Sequence, residues 1–273
     1  MARVKLPESK LRARRRRRRW AAAALWVVLI LLFVGGVVGL THLPHLRVVA
    51  VEAEGVEGTE AALVRQEVFE HLAGRYFYLV PRDNIILYPH ADIVAGLLKQ
   101  FPTFATVEVK AKTLRSLNIV VTKRSPEALW CGAARATPTP CFILDEQGVA
   151  YEAAADFGGA VYTIYYGELA KSALPRQFIT EETSRALMAL TEAFEEQQDM
   201  RVVSVEVDSV NDVYLHFVNG FELIFALGNS GGDIYERFVL ALTAEPFVEH
   251  SITDFEYLDL RFGDRLYYKL KGE

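Results

Sequence analysis

One stretch, Gly228-Asn229-Ser230-Gly231-Gly232, has residue types and spacing that could do covalent chemistry. It matches G-x-S-x-G, follows a strand-like segment and precedes a helical one. That is the setting of a nucleophile elbow, where a serine hydroxyl attacks a carbonyl. The remaining machinery is not arranged to serve it. No HGGG-type segment offers oxyanion donors, no histidine motif stands upstream, and His250 and Asp254 follow Ser230 in the order His then Asp. The strand before it, residues 221–225, is expected to close an antiparallel meander, whereas an elbow belongs to a parallel sheet. A glycine-rich connector into a helix at 234–243 accounts for the same residues. Ser230 stays as the nucleophile of the rival reading, a membrane-tethered serine hydrolase.

Other chemistry-bearing residues resolve into structure. Glu181, Glu182, Glu195 and Glu196 recur at helical spacing as a solvated face rather than an acid–base pair. The six histidines, His42, His45, His71, His90, His216 and His250, form no H-E-x-x-H or other metal-ligand pattern. There is no phosphate-cradling glycine loop with a following lysine and no dinucleotide fingerprint. No catalytic residue, metal or cofactor is therefore expected. The two cysteines, Cys131 and Cys141, have two readings: a disulfide or a pair of buried thiols. The bridge is favoured if they face an oxidising exterior.

The element that must position everything else is the segment at residues 20–40, WAAAALWVVLILLFVGGVVGL, which is free of charge. It is long enough to cross a bilayer as one helix, and it is apolar on every face, unlike a helix of a soluble core. It also exceeds the usual length of a signal-peptide core, and no A-x-A site follows it. Residues 1–19 hold ten Lys/Arg against Glu8 alone, including six consecutive arginines at 14–19. Basic flanks stay inside, so the tail is expected in the cytoplasm and everything after Leu40 outside. The remaining residues carry 20 basic and 34 acidic side chains. That balance argues against nucleic acid as a partner of the outer part.

Two outer modules follow. In the first, Val49 and Val51 alternate with Glu52 and Glu54 as a strand, and Gly55 and Gly58 break it. Thr59 is positioned to cap a helix with Leu63, Val64, Val68 and Leu72 inward, and Gly74 to stop it. After an aromatic link, Tyr76-Phe77-Tyr78-Leu79, and a turn near Pro81, a second helix near Pro89 turns Ile93, Val94, Leu97 and Leu98 inward. Phe101-Pro102 ends it. Residues 106–112 and 117–124 read as two strands. The order is β-α-α-β-β over about 75 residues, two helices on a small sheet. In the second module, residues 142–151 read as a hairpin around Glu146-Gln147-Gly148. A strand is expected at 161–166 and a helix from a Thr180 cap to Gln198. Strands at 202–207, 213–217 and 221–225 follow, the last two joined through Asn219-Gly220. Two strand-like segments around Phe262-Gly263-Asp264 close the chain. The fold class expected is α+β: a single N-terminal transmembrane helix, a small β-α-α-β-β domain, and a β-rich domain with two helices.

A membrane-proximal β-α-α-β-β unit is similar to a POTRA domain. Three segments resemble the bacterial division protein family FtsQ/DivIB: Gln100-Phe101-Pro102, Val107-Glu108-Val109, and the run from Ile119 through Lys123-Arg124-Ser125-Pro126 to Trp130. The closing Tyr257-Leu258-Asp259-Leu260-Arg261-Phe262 is similar to that family's ending. Lys123 stands where many members have Glu. The resemblance implies a cytoplasmic tail at 1–19, a transmembrane helix at 20–40, a POTRA-like domain at 47–124 and an FtsQ-type β domain at 125–271. It further implies a non-enzymatic divisome scaffold at the septum that binds FtsB/FtsL-type division proteins. The positions implied to bind are Tyr257, Leu258, Asp259, Leu260, Arg261, Phe262, Leu266, Tyr267 and Tyr268. Lys269 and Lys271 argue against a fully open last strand, because edge lysines discourage pairing. A POTRA-type translocation component is the alternative from another class, but it would need repeated units and a barrel.

Overall fold

The computed structural model describes residues 10–137, 139–155, 162–228, 231–263 and 265–272, with side chains of the first helix described from Arg16 onward. The chain is mixed α+β and divides into two compact units, residues 1–97 with 107–121, and residues 98–106 with 122–273. Helix α1 (Lys10–Thr41) begins within the basic run and continues unbroken through the apolar segment. Its part from Arg16 to Thr41 is long and apolar enough to cross a membrane, and none of its most apolar 18-residue stretch is buried in the protein.

In the first unit β1 (Ala50–Glu54) leads into α2 (Gly58–Leu72). Gly55 turns the chain between them at φ +84°, and a Cβ there would lie 2.0 Å from the Val121 carbonyl oxygen. The expected Thr59 cap is not formed. Extended Glu57 occupies the cap position without a side-chain bond, and Gly58 at φ +57° starts the helix, so Thr59 sits within its first turn. The buried stripe of α2 is Ala61, Val64, Val68 and Leu72. Leu63, expected inward, is exposed because Ala61 lies three residues before Val64 and takes the inner position. Val49 is likewise exposed, and Val48 and Val51 carry the burial.

A ladder absent from the sequence reading follows, β2 (Arg75–Tyr76) against β3 (Val80–Pro81). Then come α3 (His90–Gln100), with Ile93 and Leu97 buried, β4 (Phe104–Thr113) and β5 (Ser116–Lys123). The three long strands form one sheet in the order β1-β5-β4, with β1 and β5 parallel from Ala50↔Ser116 to Glu54↔Val120. Against this sheet the helices bury an apolar core that includes Val64, Val68, Ile93, Leu97, Leu117 and Ile119.

The second unit carries β6 (Ala128–Trp130), β7 (Phe142–Leu144), β8 (Val149–Ala153), β9 (Ile164–Tyr166), β10 (Arg176–Gln177), α4 (Glu181–Gln198) and β11 (Val202–Val207). It continues with β12 (Asp212–Phe217), β13 (Glu222–Ala226), α5 (Gly231–Ala241), β14 (Phe255–Phe262) and β15 (Arg265–Leu270). All ten strands join one sheet, ordered β10-β8-β7-β6-β9-β11-β12-β13-β14-β15. Thr180 caps α4 by accepting from the Thr183 N–H at 3.3 Å. The inward face of α4, with Leu187, Leu190 and Phe194, packs with Ile234 and Phe238 of α5 on one side of the sheet. Phe194 meets Phe217 and Phe238 edge-on, with centroids 5.2 and 5.0 Å away. Such contacts stabilise beyond area burial alone. Glu181, Glu182, Glu195 and Glu196 are exposed, as a solvated face requires.

The antiparallel meander expected up to β13 is present, and the sheet continues beyond it in another way. Strands β11, β12 and β13 run antiparallel, but β13 then pairs parallel with β14, and α5 makes the crossover between them. A parallel pair cannot be closed by a tight turn, so the glycine-rich segment after β13 opens a crossover helix instead.

Cys131 and Cys141 are joined, with Cα atoms 4.2 Å apart. On the sheet face opposite α4 and α5, Leu129, Cys131 and Tyr166 form a small second core, with Ile143 and Ile164 packed against it. The bridge closes a loop of ten residues, which is worth roughly 2.5–3 kcal/mol in the chain-entropy account. Reducing it, or changing both cysteines to serine, is expected to lower unfolding stability by about that amount. Denaturant titration with and without reductant measures the shift. Protein purified without reductant should show no reactive thiol.

Candidate partner-binding edge

The closing hairpin is built from two strands with different surroundings. Strand β14 lies inside the sheet, parallel to β13 through Glu222↔Tyr257 and Ile224↔Asp259, and antiparallel to β15. Strand β15 is last in the order, so one side of its backbone pairs with no other strand among the described residues. Such an edge can accept a further strand. Register shifts between Phe255/Tyr257 and between Asp259/Phe262 bend the hairpin. Shifts of this kind re-aim side chains near strand ends.

The nine positions implied to bind a partner fall into three groups. Leu258 and Leu260 bury their side chains in the main core beside Phe255. Phe255 stacks on Phe247 at 4.4 Å, and Tyr268 meets both rings edge-on at 5.7 and 5.6 Å. Leu266 also packs against this core. Tyr268 and Leu266 thereby hold β15 to the unit while part of Tyr268 stays open.

Asp259 and Arg261 form a polar brace. Buried Asp259 accepts from the Arg261 backbone N–H at 3.0 Å and from its Nε at 3.0 and 3.1 Å. Arg261 also donates through Nη1 to Asp212 at the start of β12. Its hydrogen bond to Asp259, and then that to Asp212, hold its pKa above the ordinary guanidinium range. The brace ties β14 to β12 across β13.

What remains open is aromatic. Phe262 is 53% exposed, Tyr267 49% and Tyr268 41%. Phe262 and Tyr267 meet edge-to-face at 5.0 Å, and the Arg261 guanidinium lies 5.6 Å from the Phe262 ring centre. Tyr257 is half-buried. From α5, Arg237 donates to the Gly263 carbonyl in the hairpin turn. The two lysines read as guards of the edge are both engaged within the chain. Lys269 pairs with Glu256 on the neighbouring strand, and Lys271 Nζ donates to the carbonyls of Asn219 and Thr253 at 3.1 and 2.8 Å.

The hydrolase constellation meets a different geometry. Asn229 and Ser230 lie outside the described residues. Strand β13 ends at Ala226 and α5 begins at Gly231, whereas Asp254 and His250 precede the N-terminal end of the parallel strand β14. The five residues from Glu222 to Ala226 alone span about 13 Å, so the end of β13 and the His250–Asp254 segment lie at opposite ends of the pair. The Asp254 carboxylate also accepts the Ser251 N–H at 2.9 Å in a capping box. Among the described residues no group of three or more His, Cys, Asp or Glu could hold a metal ion.

No protein-family model matches the chain, and no curated protein does. The case for a function rests on the chain's own residues. Their clearest feature is an edge strand with open aromatic side chains. The sequence pointed to that hairpin; alternation alone did not separate its core residues from its open ones, because the two bulges break the period of two.

Proposed function

We propose that this protein is a non-enzymatic, single-pass scaffold of the bacterial divisome, of the FtsQ/DivIB type, anchored in the cytoplasmic membrane with its N-terminus inside. The observation that carries the reading is the unpaired side of β15 beside exposed Phe262, Tyr267 and Tyr268. An edge of this kind captures a partner strand through its backbone, and the neighbouring side chains give specificity. The residue resemblance of the hairpin and of residues 119–130 supports FtsB/FtsL-type division proteins as that partner. Setting aside the short β2–β3 ladder, the order β1-α2-α3-β4-β5 in the first unit, with β1 parallel to β5, supports reading it as a POTRA domain.

The span belongs to the mechanism. Tethering two binding modules at one membrane face raises their effective concentration for partners anchored in the same bilayer. The basic run before the apolar segment supports the inside orientation of the tail.

A fluorescent fusion of the full chain in dividing bacterial cells is expected to concentrate at midcell. Even distribution around the envelope would remove the divisome reading, while leaving the membrane anchor standing.

A further inference from the structure

The aromatic link between β2 and β3 is left unused by the proposed partner edge. Phe77 and Tyr78 are 91% and 92% exposed, and Leu79 next to them and Ile86 in the turn that follows β3 are also open. Both aromatic residues hold left-handed backbone, φ +48° and +63°. Bulky side chains disfavour that conformation, and such strain gathers at binding sites.

This tip is fastened to the exit of α1. His42 Nε2 lies 2.7 Å from the Leu79 carbonyl oxygen, and buried Asn84 donates to the Thr41 carbonyl at 3.0 Å. Arg47 pairs with Asp83, the Val48 N–H donates to the Asp83 carbonyl at 2.8 Å, and the Ile85 N–H donates to the Leu46 carbonyl at 2.8 Å. The tip and its following turn are thus bonded on both sides to the first residues after the helix. From Trp20 to Thr41 an α-helix rises about 33 Å, close to the ~30 Å of a hydrocarbon core. If the arginine run ends at one boundary, Thr41 reaches the other, and the residues bonded to it stand at headgroup depth. Aromatic rings are favoured there because one part of the ring is apolar and the other tolerates water. His42, Arg75 and the paired Arg47 and Asp83 line a cleft at the same exit.

We infer that Phe77, Tyr78 and Leu79 form an interfacial foot that docks the first unit on the outer leaflet of the bilayer crossed by α1. The inference rests on the reading that α1 spans the membrane. Lipid is the occupant because the tip is bonded to the end of the apolar helix, where the nearest large apolar phase is that bilayer. The foot would limit the first unit's freedom about the helix end and set the height at which it meets partners.

The test uses the full chain in phosphatidylcholine–phosphatidylglycerol vesicles. The sequence has two cysteines and both are in the disulfide, so one added cysteine takes a single environment-sensitive fluorophore. A probe at Tyr78→Cys is expected to shift to the blue and lose about half its emission to lipids with a nitroxide high on the acyl chain, consistent with insertion of several ångström. A probe at Thr59→Cys, exposed at the start of α2 beyond the far end of β1, should show neither effect. Since Tyr78→Cys removes one ring, Ile86→Cys repeats the measurement with Tyr78 intact. Quenching there should fall when Phe77 and Tyr78 are both changed to serine. A probe at Leu31→Cys reports the span through lipids with a deep nitroxide. Quenching at Leu31 with none at 78 or 86 overturns the foot and leaves the span standing, including when the emission at 78 shifts to the blue through contact with protein. Absence of quenching at Leu31 overturns the span and the foot with it.

Discussion

Exchanging Asp145 for alanine is expected to destabilise the second unit by about 3–5 kcal/mol, the usual cost of leaving one partner of a buried ion pair alone. The Arg124 and Asp145 side chains are 9% and 3% exposed, and Arg124 Nη1 donates to Asp145 Oδ2. The other carboxylate oxygen holds the β7–β8 turn by accepting from the backbone N–H groups of Gln147 at 3.0 Å and Val149 at 2.9 Å. The guanidinium is occupied as well, with Nε donating to the Pro102 carbonyl at 3.2 Å. Removing Asp145 therefore strands a buried cation and frees two turn amides in one step. Urea unfolding of the full chain in detergent, followed by near-ultraviolet circular dichroism, measures the loss. Changing Arg124 to Met and Asp145 to Leu together should recover a large part of it, because an apolar pair removes both desolvated charges. A cost below about 1 kcal/mol for Asp145→Ala would place the pair with exposed bridges and sink the argument.

Changing Phe262 and Tyr267 together to serine is expected to weaken partner capture by tenfold or more, while the unfolding midpoint stays nearly constant. Interface energy concentrates in a few aromatic anchors, and losing one typically costs about 2 kcal/mol or more. Both rings are about half exposed and lean on each other rather than on the main core. Co-purification of FtsB/FtsL-type proteins with the detergent-solubilised full chain reads the effect. Undiminished recovery would move the binding site away from this hairpin. The pair is more informative than deleting residues 255–273. That deletion removes Phe255, Leu258 and Leu260 from the core, so lost binding could not be separated from lost folding. A proline at Tyr268 is a harsher variant for the same reason, since that ring packs on Phe247 and Phe255.

The candidate edge owes different parts of itself to local and distant causes. The brace of Asp259, Arg261 and Asp212 joins residues up to 49 positions apart, and it is invisible until β12, β13 and β14 are laid side by side. The Arg124–Asp145 pair is similar. Arg124 stands in a segment that carries the family resemblance and Asp145 in the hairpin around Glu146-Gln147-Gly148, but neither segment shows that they meet. The openness of Phe262 and Tyr267 depends on the bulge between Asp259 and Phe262, which no alternation count contains.

What the sequence by itself determined are features written in neighbouring residues. A charge-free apolar run behind arginines makes a helix of membrane-crossing length, because every backbone group is satisfied within the helix and every face is apolar. Thr180 starts α4, Asn219-Gly220 turns β12 into β13, and the spacing of Leu187, Leu190 and Phe194 turns one helical face inward, all through interactions a few residues long. The tertiary structure decided the rest. It placed β14 parallel to β13, gave Ala61 rather than Leu63 the inner face of α2, and left Phe77 and Tyr78 open beside the exit of α1. The physical reason is common to these cases: burial and strand pairing depend on what arrives from elsewhere in the chain, and an apolar residue carries no mark of whether anything will cover it.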